Sequence, residues 1–284
     1  MRYLILGTSG QLGTAFASAI DRDNALFARR ADLDLANRDQ IDPFLREHQP
    51  EIVINCAAYT AVDRAEQEPD VAAAINTEAV RSLAEATARR GVGFVTFSTD
   101  YVFDGTLGRP YVESDAPNPV NAYGRTKLEG EHHALAAHPG ALVIRTSWVI
   151  SATHRNFVTA MVRLAAGGGG SVVNDQHGRP TIASDLAAAT LDAVDRGASG
   201  VLHLTNGGET TWFDLARNVV ELAGLDPMTL QPCSTDEYPT PARRPRNSVL
   251  DSERIEDLGI APLPDHRASL PHLVDGLRRR GLLS

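Results

Sequence analysis

Short apolar runs alternate with longer segments of helical periodicity through the first half of the chain. The apolar runs predict strands at Met1–Leu6, Ala25–Ala28, Glu51–Cys56 and Gly93–Ser98, and the periodic segments predict helices at Thr14–Ile20, Arg38–His48 and Val71–Arg90. Strands that are apolar throughout and alternate with helices are typical of a parallel sheet covered on both faces. The pattern therefore predicts an α/β fold with a doubly wound, Rossmann-type parallel sheet.

The second half of the chain predicts one more strand and then a smaller lobe. A strand at Ala141–Thr146 is followed by a helix at Asn156–Ala166, which stops at Gly167–Gly170 because glycine continues a helix poorly. These four glycines fit either a mobile hinge or a plain surface loop. Further along, a helix at Trp212–Ala223 and a proline-rich stretch at 227–245 indicate a smaller carboxy-terminal lobe.

The composition limits the classes of protein to which the chain can belong. Its 284 residues are 43% hydrophobic, which allows a large core at a size where one domain begins to divide into two lobes. A formal net charge of −9 argues against a nucleic-acid surface, and no apolar stretch has the length of a membrane span. The apolar start runs into Gly7 without the basic region or the cleavage site of a signal peptide.

The cysteines and histidines favour a cytoplasmic protein without a catalytic metal. Cys56 and Cys233 are too few for a disulfide framework and lack metal-ligand spacing, so we expect both to be reduced. The adjacent His132 and His133 would point apart on a helix, and the zinc-binding spacing H-E-x-x-H does not occur in the sequence. We therefore expect a cytoplasmic location, small-molecule partners, and neither a metal, a nucleic acid nor a membrane as partner.

Three glycines spaced by three residues join the first predicted strand to the first helix. Gly7, Gly10 and Gly13 would let the backbone approach a pyrophosphate, whose charge is stabilised by free N–H groups and the helix dipole. The spacing differs from the commonest dinucleotide fingerprint, so on its own the motif is better explained as an ordinary glycine turn. Two further predicted strands lead into Ala57–Thr60 and Ser98–Asp100, and all three strand ends should border one crevice.

Tyr123 and Lys127 lie four residues apart, which places both side chains on one face of a helix. A phenol is a poor acid near neutral pH, but a neighbouring ammonium group favours the phenolate and so lowers the tyrosine pKa. The pair therefore suggests carbonyl or alcohol redox chemistry. The spacing Y-x-x-x-K alone is a weak pattern, which also occurs by chance on amphipathic helices.

Three of these motifs together resemble the extended short-chain dehydrogenase/reductase superfamily: the glycine turn, the segment Ser98–Gly105 and the segment Tyr123–Glu131. Four more segments look like the dTDP-4-dehydrorhamnose reductases within that superfamily. They are Ala61–Glu66, Arg145–Val149, Asn174–Thr181 and Tyr238–Ser248. All of them occur in the family's order over essentially the whole chain, which makes a chance match far rarer than for any single motif.

The resemblance implies an oxidoreductase that reduces the C4 ketone of dTDP-4-dehydro-6-deoxy-L-mannose to dTDP-L-rhamnose with a nicotinamide cofactor. Tyr123 would protonate the carbonyl oxygen, Thr99 would orient it, and Lys127 would hold the nicotinamide ribose and keep the tyrosine pKa low. Thr99, Asp100 and Trp148 would contact the substrate. Each catalytic residue also has a structural alternative: a turn cap for Thr99, a core ring for Tyr123 and a solvated helix residue for Lys127.

The same resemblance implies the cofactor contacts and a division of the chain. The dinucleotide-binding domain would span residues 1–148 and roughly 174–204, and the substrate-binding lobe would span residues 149–173 and 205–284. Arg29 and Arg30 end the second predicted strand, where NAD-preferring folds usually place an acidic residue, which favours NADPH with NADH as the alternative. The implied cofactor-binding residues are Gly7, Gly10, Gln11, Leu12, Gly13, Arg29, Asp34, Leu35, Ala58, Tyr59, Thr60, Phe97, Tyr123 and Lys127.

The resemblance leaves assembly and the exact activity open. Some family members carry a glutamate two residues beyond the third glycine, as part of a magnesium site at a dimer interface, whereas this chain has Ala15. We therefore expect a monomer or weak homodimer without a metal link. The alternative functions are a 4-ketoreductase for another nucleotide deoxysugar and a non-catalytic nicotinamide-binding regulator, since the regulatory subunit of methionine adenosyltransferase resembles the same family. Arg243 and Arg244 could neutralise a substrate diphosphate, but arginines in a proline-rich stretch are more often solvated, and we leave them outside the predicted site.

Overall fold

The computed structural model describes residues 1–283, and its central feature is a six-stranded parallel sheet. The strands of the described chain are β1 (Tyr3–Leu6), β2 (Ala25–Ala28), β3 (Ile52–Asn55), β4 (Gly93–Thr99), β5 (Leu142–Thr146), β6 (Val149–Ile150), β7 (Gly170–Val173), β8 (His177–Gly178), β9 (Thr181–Ile182), β10 (Gly200–His203), β11 (Thr210–Thr211) and β12 (Leu230–Cys233). The order across the central sheet is β10-β5-β4-β3-β1-β2. The predicted α/β fold with a Rossmann-type parallel sheet is confirmed.

Helices cover both faces of this sheet and build a second packed region beyond it. They are α1 (Gln11–Ala19), α2 (Ile41–His48), α3 (Val62–Ala65), α4 (Pro69–Ala73), α5 (Ala79–Arg90), α6 (Ala122–Ala137), α7 (Phe157–Ala166), α8 (Ala183–Asp195), α9 (Trp212–Leu222) and α10 (His266–Arg279). None of the helices within residues 1–283 is long and apolar enough to cross a membrane.

Successive residues of the strands face opposite sides of the sheet, and both sides are buried. In β1, Leu4 packs with residues of α2 and α5, whereas the next residue, Ile5, packs with Phe16 of α1 and Leu186 of α8. Each fully buried aliphatic side chain of this kind contributes roughly 1.5–3 kcal/mol. Burial on both faces is the physical reason why these strands are apolar throughout instead of alternating with polar residues.

The predicted continuous helix at Val71–Arg90 is wrong in its middle. Between α4 and α5 the chain makes a wider, π-helical turn at Ala74–Glu78. The Asn76 side chain accepts a hydrogen bond from the Tyr59 backbone N–H at 2.9 Å, and it donates to the Tyr59 carbonyl at 3.0 Å and to the Thr126 hydroxyl at 3.2 Å. The irregular turn therefore fixes the segment after β3 against α6. The start of the predicted helix at Arg38–His48 is likewise a 3-10 turn, at Arg38–Gln40.

Helix α6 is positioned by its cap and by two glycines. The Asn121 side chain accepts a hydrogen bond from the Gly124 backbone N–H at 2.8 Å, which starts the helix at Ala122. A Cβ atom on Gly124 would lie 2.1 Å from the Tyr101 carbonyl oxygen, and one on Gly130 would lie 2.1 Å from the Asn76 carbonyl oxygen. Only glycine lets the backbones come this close. The two glycines therefore allow α6 to pack against the segments that follow β4 and α4.

The second packed region contains α7, α9 and α10 together with short two-stranded sheets, including β7 beside β12 and β6 beside β9. The four glycines after α7 lead directly into β7, and Gly168 and Gly169 have φ angles of 106° and 91°. A Cβ atom on Gly169 would lie 2.0 Å from the Thr229 carbonyl oxygen. Gly169 is therefore closely packed against the segment before β12, whereas Gly167 and Gly168 are exposed. The division into a dinucleotide-binding domain and a substrate-binding lobe stays a prediction.

Candidate active site

In the turn between β1 and α1, at the carboxyl end of the sheet, the backbone lies in close contact with itself and with the segment after β3. A Cβ atom on Gly7, whose φ is 74°, would lie 2.5 Å from the Ala57 backbone nitrogen, and one on Gly13 would lie 2.4 Å from the Gly7 carbonyl oxygen. The same atom on Gly10 would lie 3.4 Å from the Gly7 carbonyl oxygen, an ordinary contact. Gly7 and Gly13 are therefore required by the turn itself, which aims the α1 amino terminus into the adjoining cavity.

That cavity has a volume of about 320 Å³ and lies beyond the carboxyl ends of β1, β2 and β3. A cleft there, bordered by a glycine turn, a helix amino terminus and arginine side chains, fits the phosphates and adenosine of a dinucleotide. Cys56 and Arg30 line it as well, although neither was in the predicted set. The predicted cofactor residues that line the cavity are Gly7, Gly10, Arg29, Asp34, Leu35, Ala58 and Tyr59.

Arg29, Arg30 and Asp34 line this cavity, and Asp32 lies beside them. The Arg29 backbone N–H and side chain both donate to Asp32, at 2.8 and 3.3 Å, and Arg30 donates to Asp34 at 3.4 Å. The two arginine side chains are largely exposed, at 71% and 81%, whereas those of Asp32 and Asp34 are 40% and 38% exposed. The first residues after β2 are thus cationic and able to reach a phosphate on the adenosine ribose.

Thr99, Tyr123 and Lys127 come together where β4 ends beside α6. The Thr99 hydroxyl donates to Asp100 at 3.0 Å and accepts from the Tyr101 backbone N–H at 3.2 Å. Tyr123 is half-buried and packs edge-on against Tyr101, with 6.1 Å between the ring centroids. Lys127 is only 5% exposed, and its Nζ donates to the Phe97 carbonyl at 2.5 Å. The threonine therefore does act as a turn cap, while its hydroxyl also lies beside the phenol.

Burial controls the protonation of this group of side chains. Desolvation raises the pKa of Tyr123 to about 12, a hydrogen bond with Thr99 lowers it, and the nearby Asp100 carboxylate raises it. The prediction of a lowered tyrosine pKa is therefore wrong. Burial also lowers the pKa of Lys127 to about 8, against the opposing charge of Glu131. Tyr123 is consequently a neutral phenol, and Lys127 a cation, at neutral pH.

Asp100 adds an acceptor beside Thr99. Its side chain is buried, and burial raises the pKa of its carboxyl to about 7. One oxygen, Oδ2, has no hydrogen-bond partner among residues 1–283. A buried oxygen without a partner costs free energy unless something binds it, so this carboxyl is suited to a hydroxyl of a bound molecule.

A second cavity, of about 340 Å³, lies on the other side of Tyr101. Trp212 lines it and is stacked on Trp148, with ring centroids 3.5 Å apart and an interplanar angle of 9°. Trp148 has an unusual φ of 47°, and Gly178 gives it room, because a Cβ atom there would lie 2.5 Å from the indole ring. The other lining residues are Phe157, Met161, Ser171, Val172, Val173, Gln176, Tyr238, Thr240 and Arg244.

The proline-rich stretch borders this second cavity through Tyr238, Thr240 and Arg244. Arg244 donates two hydrogen bonds to the Asp63 carboxylate, at 2.5 and 2.7 Å, and the Ala242 backbone N–H donates to the same carboxylate at 3.1 Å. The Asn121 amide, which caps α6, donates to the Arg243 carbonyl at 2.8 Å. The stretch is therefore tied both to α3 and to the helix that carries Tyr123.

Comparison with known proteins identifies the group to which this geometry belongs. The sequence model of the RmlD substrate binding domain family matches residues 1–279. This chain belongs to that family. It is 44% identical over 276 residues to a probable dTDP-4,6-dihydroxy-2-methyloxan-3-one 4-ketoreductase of Streptomyces antibioticus, covering 95% of this chain and 93% of the relative.

Two further relatives carry the name that the sequence resemblance suggested. A dTDP-4-dehydrorhamnose reductase of Mycolicibacterium smegmatis is 43% identical over 280 residues, covering 96% of this chain and 85% of the relative. The crystal structure of the Bacillus anthracis dTDP-4-dehydrorhamnose reductase in complex with NADP is 32% identical, with a TM-score of 0.90 and coverage of 100% and 99% of the two chains. The predicted family resemblance is confirmed.

Within this RmlD family member, the remaining predicted cofactor residues do not line the cavity. Gly13 and Phe97 lie in the packed interior, and Leu12 packs against the core. The Gln11 side chain donates to the Val149 carbonyl at 3.0 Å, and Thr60 is exposed. Their cofactor roles stay predictions, as do those of Tyr123 and Lys127.

Sequence reasoning missed several residues of the second cavity. Gln176, Tyr238 and Arg244 stand in the segments that carry the family resemblance, so the motifs themselves hold a signal for these three residues. Trp212 is different, because it opens an amphipathic helix and nothing in its local sequence distinguishes it from a core residue. Its place at the cavity depends on the stack with Trp148.

Proposed function

We propose that this chain reduces the C4 ketone of dTDP-4-dehydro-6-deoxy-L-mannose to dTDP-L-rhamnose with NADPH. The observation that supports the proposal is the group of Thr99, Tyr123 and Lys127 where β4 ends beside α6, with Tyr123 packed on Tyr101, which lines the second, aromatic-lined cavity. Relatives that carry the name dTDP-4-dehydrorhamnose reductase, at 43% identity in one case, support the substrate. Reduction of a ketone to an alcohol needs a hydride and a proton. In this proposal Tyr123 supplies the proton.

Tyr123 is the proton donor in this proposal. Its raised pKa of about 12 keeps the phenol protonated until alkoxide character develops on the carbonyl oxygen. A reduced nicotinamide, when bound, would supply the hydride to C4 and would be oxidised in doing so. The phenol O–H bond breaks as the new alcohol O–H bond forms, and the tyrosinate then regains a proton from solvent. Thr99 donates a hydrogen bond to the same oxygen, and the Lys127 cation stabilises the tyrosinate.

NADPH is the preferred cofactor in this proposal, with NADH as the alternative. Arg29 and Arg30 border the cofactor cavity, and their guanidinium groups match the charge and geometry of a ribose phosphate. A solved relative from Bacillus anthracis contains NADP. The acidic residues nearby, Asp32 and Asp34, already bind these two arginines, so they are less able to accept ribose hydroxyls.

The second cavity, which we call the substrate-side cavity, would receive the sugar nucleotide. Trp148, stacked on Trp212 of the cavity lining, would support the aromatic surface that receives the deoxysugar, and Asp100 would offer its unpartnered carboxyl oxygen to the sugar hydroxyls. Trp212 and Tyr238 present flat rings suited to stacking on a pyrimidine. Arg244 would neutralise the diphosphate from its fixed position beside Asp63. The predicted substrate-binding lobe, residues 149–173 and 205–284, contributes most of this cavity in the proposal.

The deciding experiment follows the absorbance of reduced nicotinamide in a mixture of the purified chain, NADPH or NADH, and freshly generated dTDP-4-keto-6-deoxyglucose. The upstream 3,5-epimerase is either added or left out. We expect oxidation of NADPH only with the epimerase, formation of dTDP-L-rhamnose by NMR, and a loss of at least about a hundredfold in kcat for Tyr123→Phe with unchanged NADPH affinity. Oxidation without formation of the rhamnose product would refute the proposed substrate.

The name of the relative in Streptomyces antibioticus favours one alternative, a 4-ketoreductase for another dTDP-deoxysugar. Oxidation of NADPH that does not need the epimerase, with a product of different configuration, would support it. A non-catalytic regulator predicts a third result: the chain binds NADPH, oxidises none of it with any keto sugar, and binds a protein partner stoichiometrically.

We further propose a cytoplasmic location and a monomer or weak homodimer. A sugar-nucleotide substrate and two free cysteines, Cys56 and Cys233, agree with a reducing compartment. Ala15, in place of a carboxylate, removes one ligand from the metal link known in some relatives. Cell fractionation tests the location, and light scattering with and without magnesium tests the assembly, for which we expect the same mass in both conditions.

A further inference from the structure

A chain of buried polar groups, none of which lines either of these two cavities, adjoins Lys127. Glu131, one helical turn after Lys127, is 2% exposed, and Arg145 of β5 is 4% exposed. Arg145 binds Glu131 through both its Nε, at 3.0 Å, and its Nη2, at 2.7 Å. A buried ion pair of this kind costs desolvation free energy, so its presence beside a reactive lysine calls for a physical explanation.

Lys127 and Glu131 are anchored to consecutive residues of β4. The Lys127 ammonium donates to the Phe97 carbonyl at 2.5 Å, and the Ser98 hydroxyl donates to Glu131. Residues four apart on a helix share a face, and both side chains here face the same strand. The helix spacing and the strand register together hold a carboxylate close to the ammonium in a region that water does not reach.

Arg145 also contacts His203 and Phe103. Its Nη1 lies 3.4 Å from His203 Nε2, and His203 Nδ1 lies 2.8 Å from the Asp251 carbonyl. A carbonyl only accepts, so Nδ1 carries the proton and Nε2 accepts from the arginine, which requires a neutral imidazole. Burial lowers the pKa of His203, in agreement with that form. The guanidinium also lies 5.2 Å from the Phe103 ring centroid.

Few charged groups therefore determine the electrostatic environment of the Lys127 ammonium group. Without a counter-charge, a lysine this deeply buried would lose its proton readily, since burial disfavours the charged form. Glu131 opposes that effect. Arg145, beyond Glu131, cancels part of its charge. The titratable and charged groups around this part of α6 are Tyr123 and Glu131 on the helix itself, Asp100 and Tyr101 after β4, Arg145 on β5, His203 on β10, and Glu113, which accepts a hydrogen bond from the His203 backbone N–H.

We propose that Glu131 is a positioning residue that keeps Lys127 charged and in place, and that Arg145 sets the strength of this effect. Glu131 would touch neither cofactor nor substrate. The role of Lys127 in turnover rests on the proposed function, whereas the electrostatic dependence of Lys127 on Glu131 does not. The two ideas can therefore fail separately.

The sequence offers an unusually direct test, because Lys127 is the only lysine in the 284-residue chain. Protein grown on lysine labelled with carbon-13 at the ε-methylene gives a single lysine resonance in an NMR spectrum. A pH titration of that resonance measures the Lys127 pKa in the intact protein, with neither cofactor nor sugar present. Wild-type protein is compared with Glu131→Gln, Arg145→Gln and, as a matched control, Glu129→Gln, which removes an exposed carboxylate from the same helix.

The two buried variants predict shifts of opposite sign. We expect the Lys127 pKa to fall by about one pH unit or more in Glu131→Gln, to rise in Arg145→Gln, and to stay unchanged in Glu129→Gln. Both buried variants lose a buried ion pair and are destabilised, so a merely structural role would move the lysine in the same direction in both, or not at all. Either of those results, or an unchanged value in Glu131→Gln, overturns the proposal.

If the single variants do not fold, the double variant Glu131→Gln/Arg145→Gln removes the pair without leaving an unpaired charge. Because the carboxylate is the nearer of the two charges to Lys127, the lysine pKa should then fall, and a value at or above that of the wild type overturns the proposal. In turnover, the alkaline limb of kcat/KM should move to lower pH in Glu131→Gln by the same amount. A chain that reduces no dTDP-sugar would refute the proposed function and leave the titration result standing.

Discussion

The Asp63 carboxylate binds both terminal nitrogens of Arg244, at 2.5 and 2.7 Å, and so joins α3 to the proline-rich stretch over the substrate-side cavity. A bidentate pair fixes the plane of the guanidinium as well as its position. Arg244 is largely buried, with 14% of its side chain exposed, whereas Asp63 is 40% exposed. The carboxylate therefore orients an arginine that faces the cavity.

Asp63→Asn should weaken substrate binding more than it slows turnover. The amide can accept only one of the two hydrogen bonds and carries no charge, so Arg244 loses its fixed orientation. We expect the KM for the dTDP-sugar to rise on the order of tenfold to a hundredfold with a smaller change in kcat. Asp70→Asn, at an exposed position on α4, is the control and should leave KM unchanged. An unchanged KM in Asp63→Asn would show that the pair serves only to hold the stretch in place.

Asp100 predicts a specific dependence of stability on pH. Its pKa is raised from 3.8 to about 7 by burial, so the folded state binds this proton more tightly than the unfolded state. The stabilisation from this proton is fully present below the unfolded pKa and is lost as the pH rises through about 7. Relative to wild type, Asp100→Asn should therefore become more stable as the pH increases across that range.

Thermal unfolding of the wild type and of Asp100→Asn at several pH values measures this difference. Asp104→Asn is a control of opposite sign, because hydrogen bonds to its neighbours hold the pKa of Asp104 below its usual value. That variant should lose stability relative to wild type above the unfolded carboxyl pKa and recover it as the pH falls. Parallel curves for wild type and Asp100→Asn would contradict the raised pKa.

The glycine turn predicts different outcomes for two neighbouring glycines. In Gly13→Ala the new methyl group would lie 2.4 Å from the Gly7 carbonyl oxygen, so the turn must move, with a loss of about 1–3 kcal/mol or more and weaker NADPH binding. In Gly10→Ala the corresponding contact is 3.4 Å, and we expect a change below about 1 kcal/mol. Denaturant unfolding and NADPH titration measure both. Equal losses in the two variants would refute this account of the turn.

Arg29 and Arg30 predict the choice between the two nicotinamide cofactors. In the double variant Arg29→Ser/Arg30→Ser, the Kd for NADPH should rise about tenfold to a hundredfold, because charge-assisted hydrogen bonds to a phosphate are lost. The Kd for NADH should not change. Arg22→Ser removes a charge outside the cavity and serves as the control. A similar loss for both cofactors would mean that the arginines only shape the loop.

The sheet and most helices were predictable because their signals are local. Burial on both faces makes β1 continuously apolar, and Asn156 caps α7 where the sequence predicts a helix start. The π-helical turn at Ala74–Glu78 was not predictable, since its residues suit a regular helix and the deviation depends on hydrogen bonds from Asn76 to the segment after β3. Such contacts have no signature in the local sequence.

At the candidate site, too, the sequence motif predicted where the residues lie but not the environment that surrounds them. The spacing of Tyr123 and Lys127 correctly placed both on α6, but the expected lowering of the tyrosine pKa failed. Burial favours the phenol, the Asp100 carboxylate does so as well, and only the hydrogen bond with Thr99 favours the phenolate. The extent of burial depends on elements far apart in the sequence, so the motif could not reveal it.

The chain contains two tryptophans, and both stand in the Trp148–Trp212 stack at the substrate-side cavity. Indole fluorescence from this protein therefore originates at one place, without a background from the rest of the fold. Stacked indoles at 3.5 Å interact electronically, and a sugar or base that separates them changes their emission. The intrinsic tryptophan fluorescence of this protein can therefore report the binding of unlabelled sugar nucleotides, without any need for turnover.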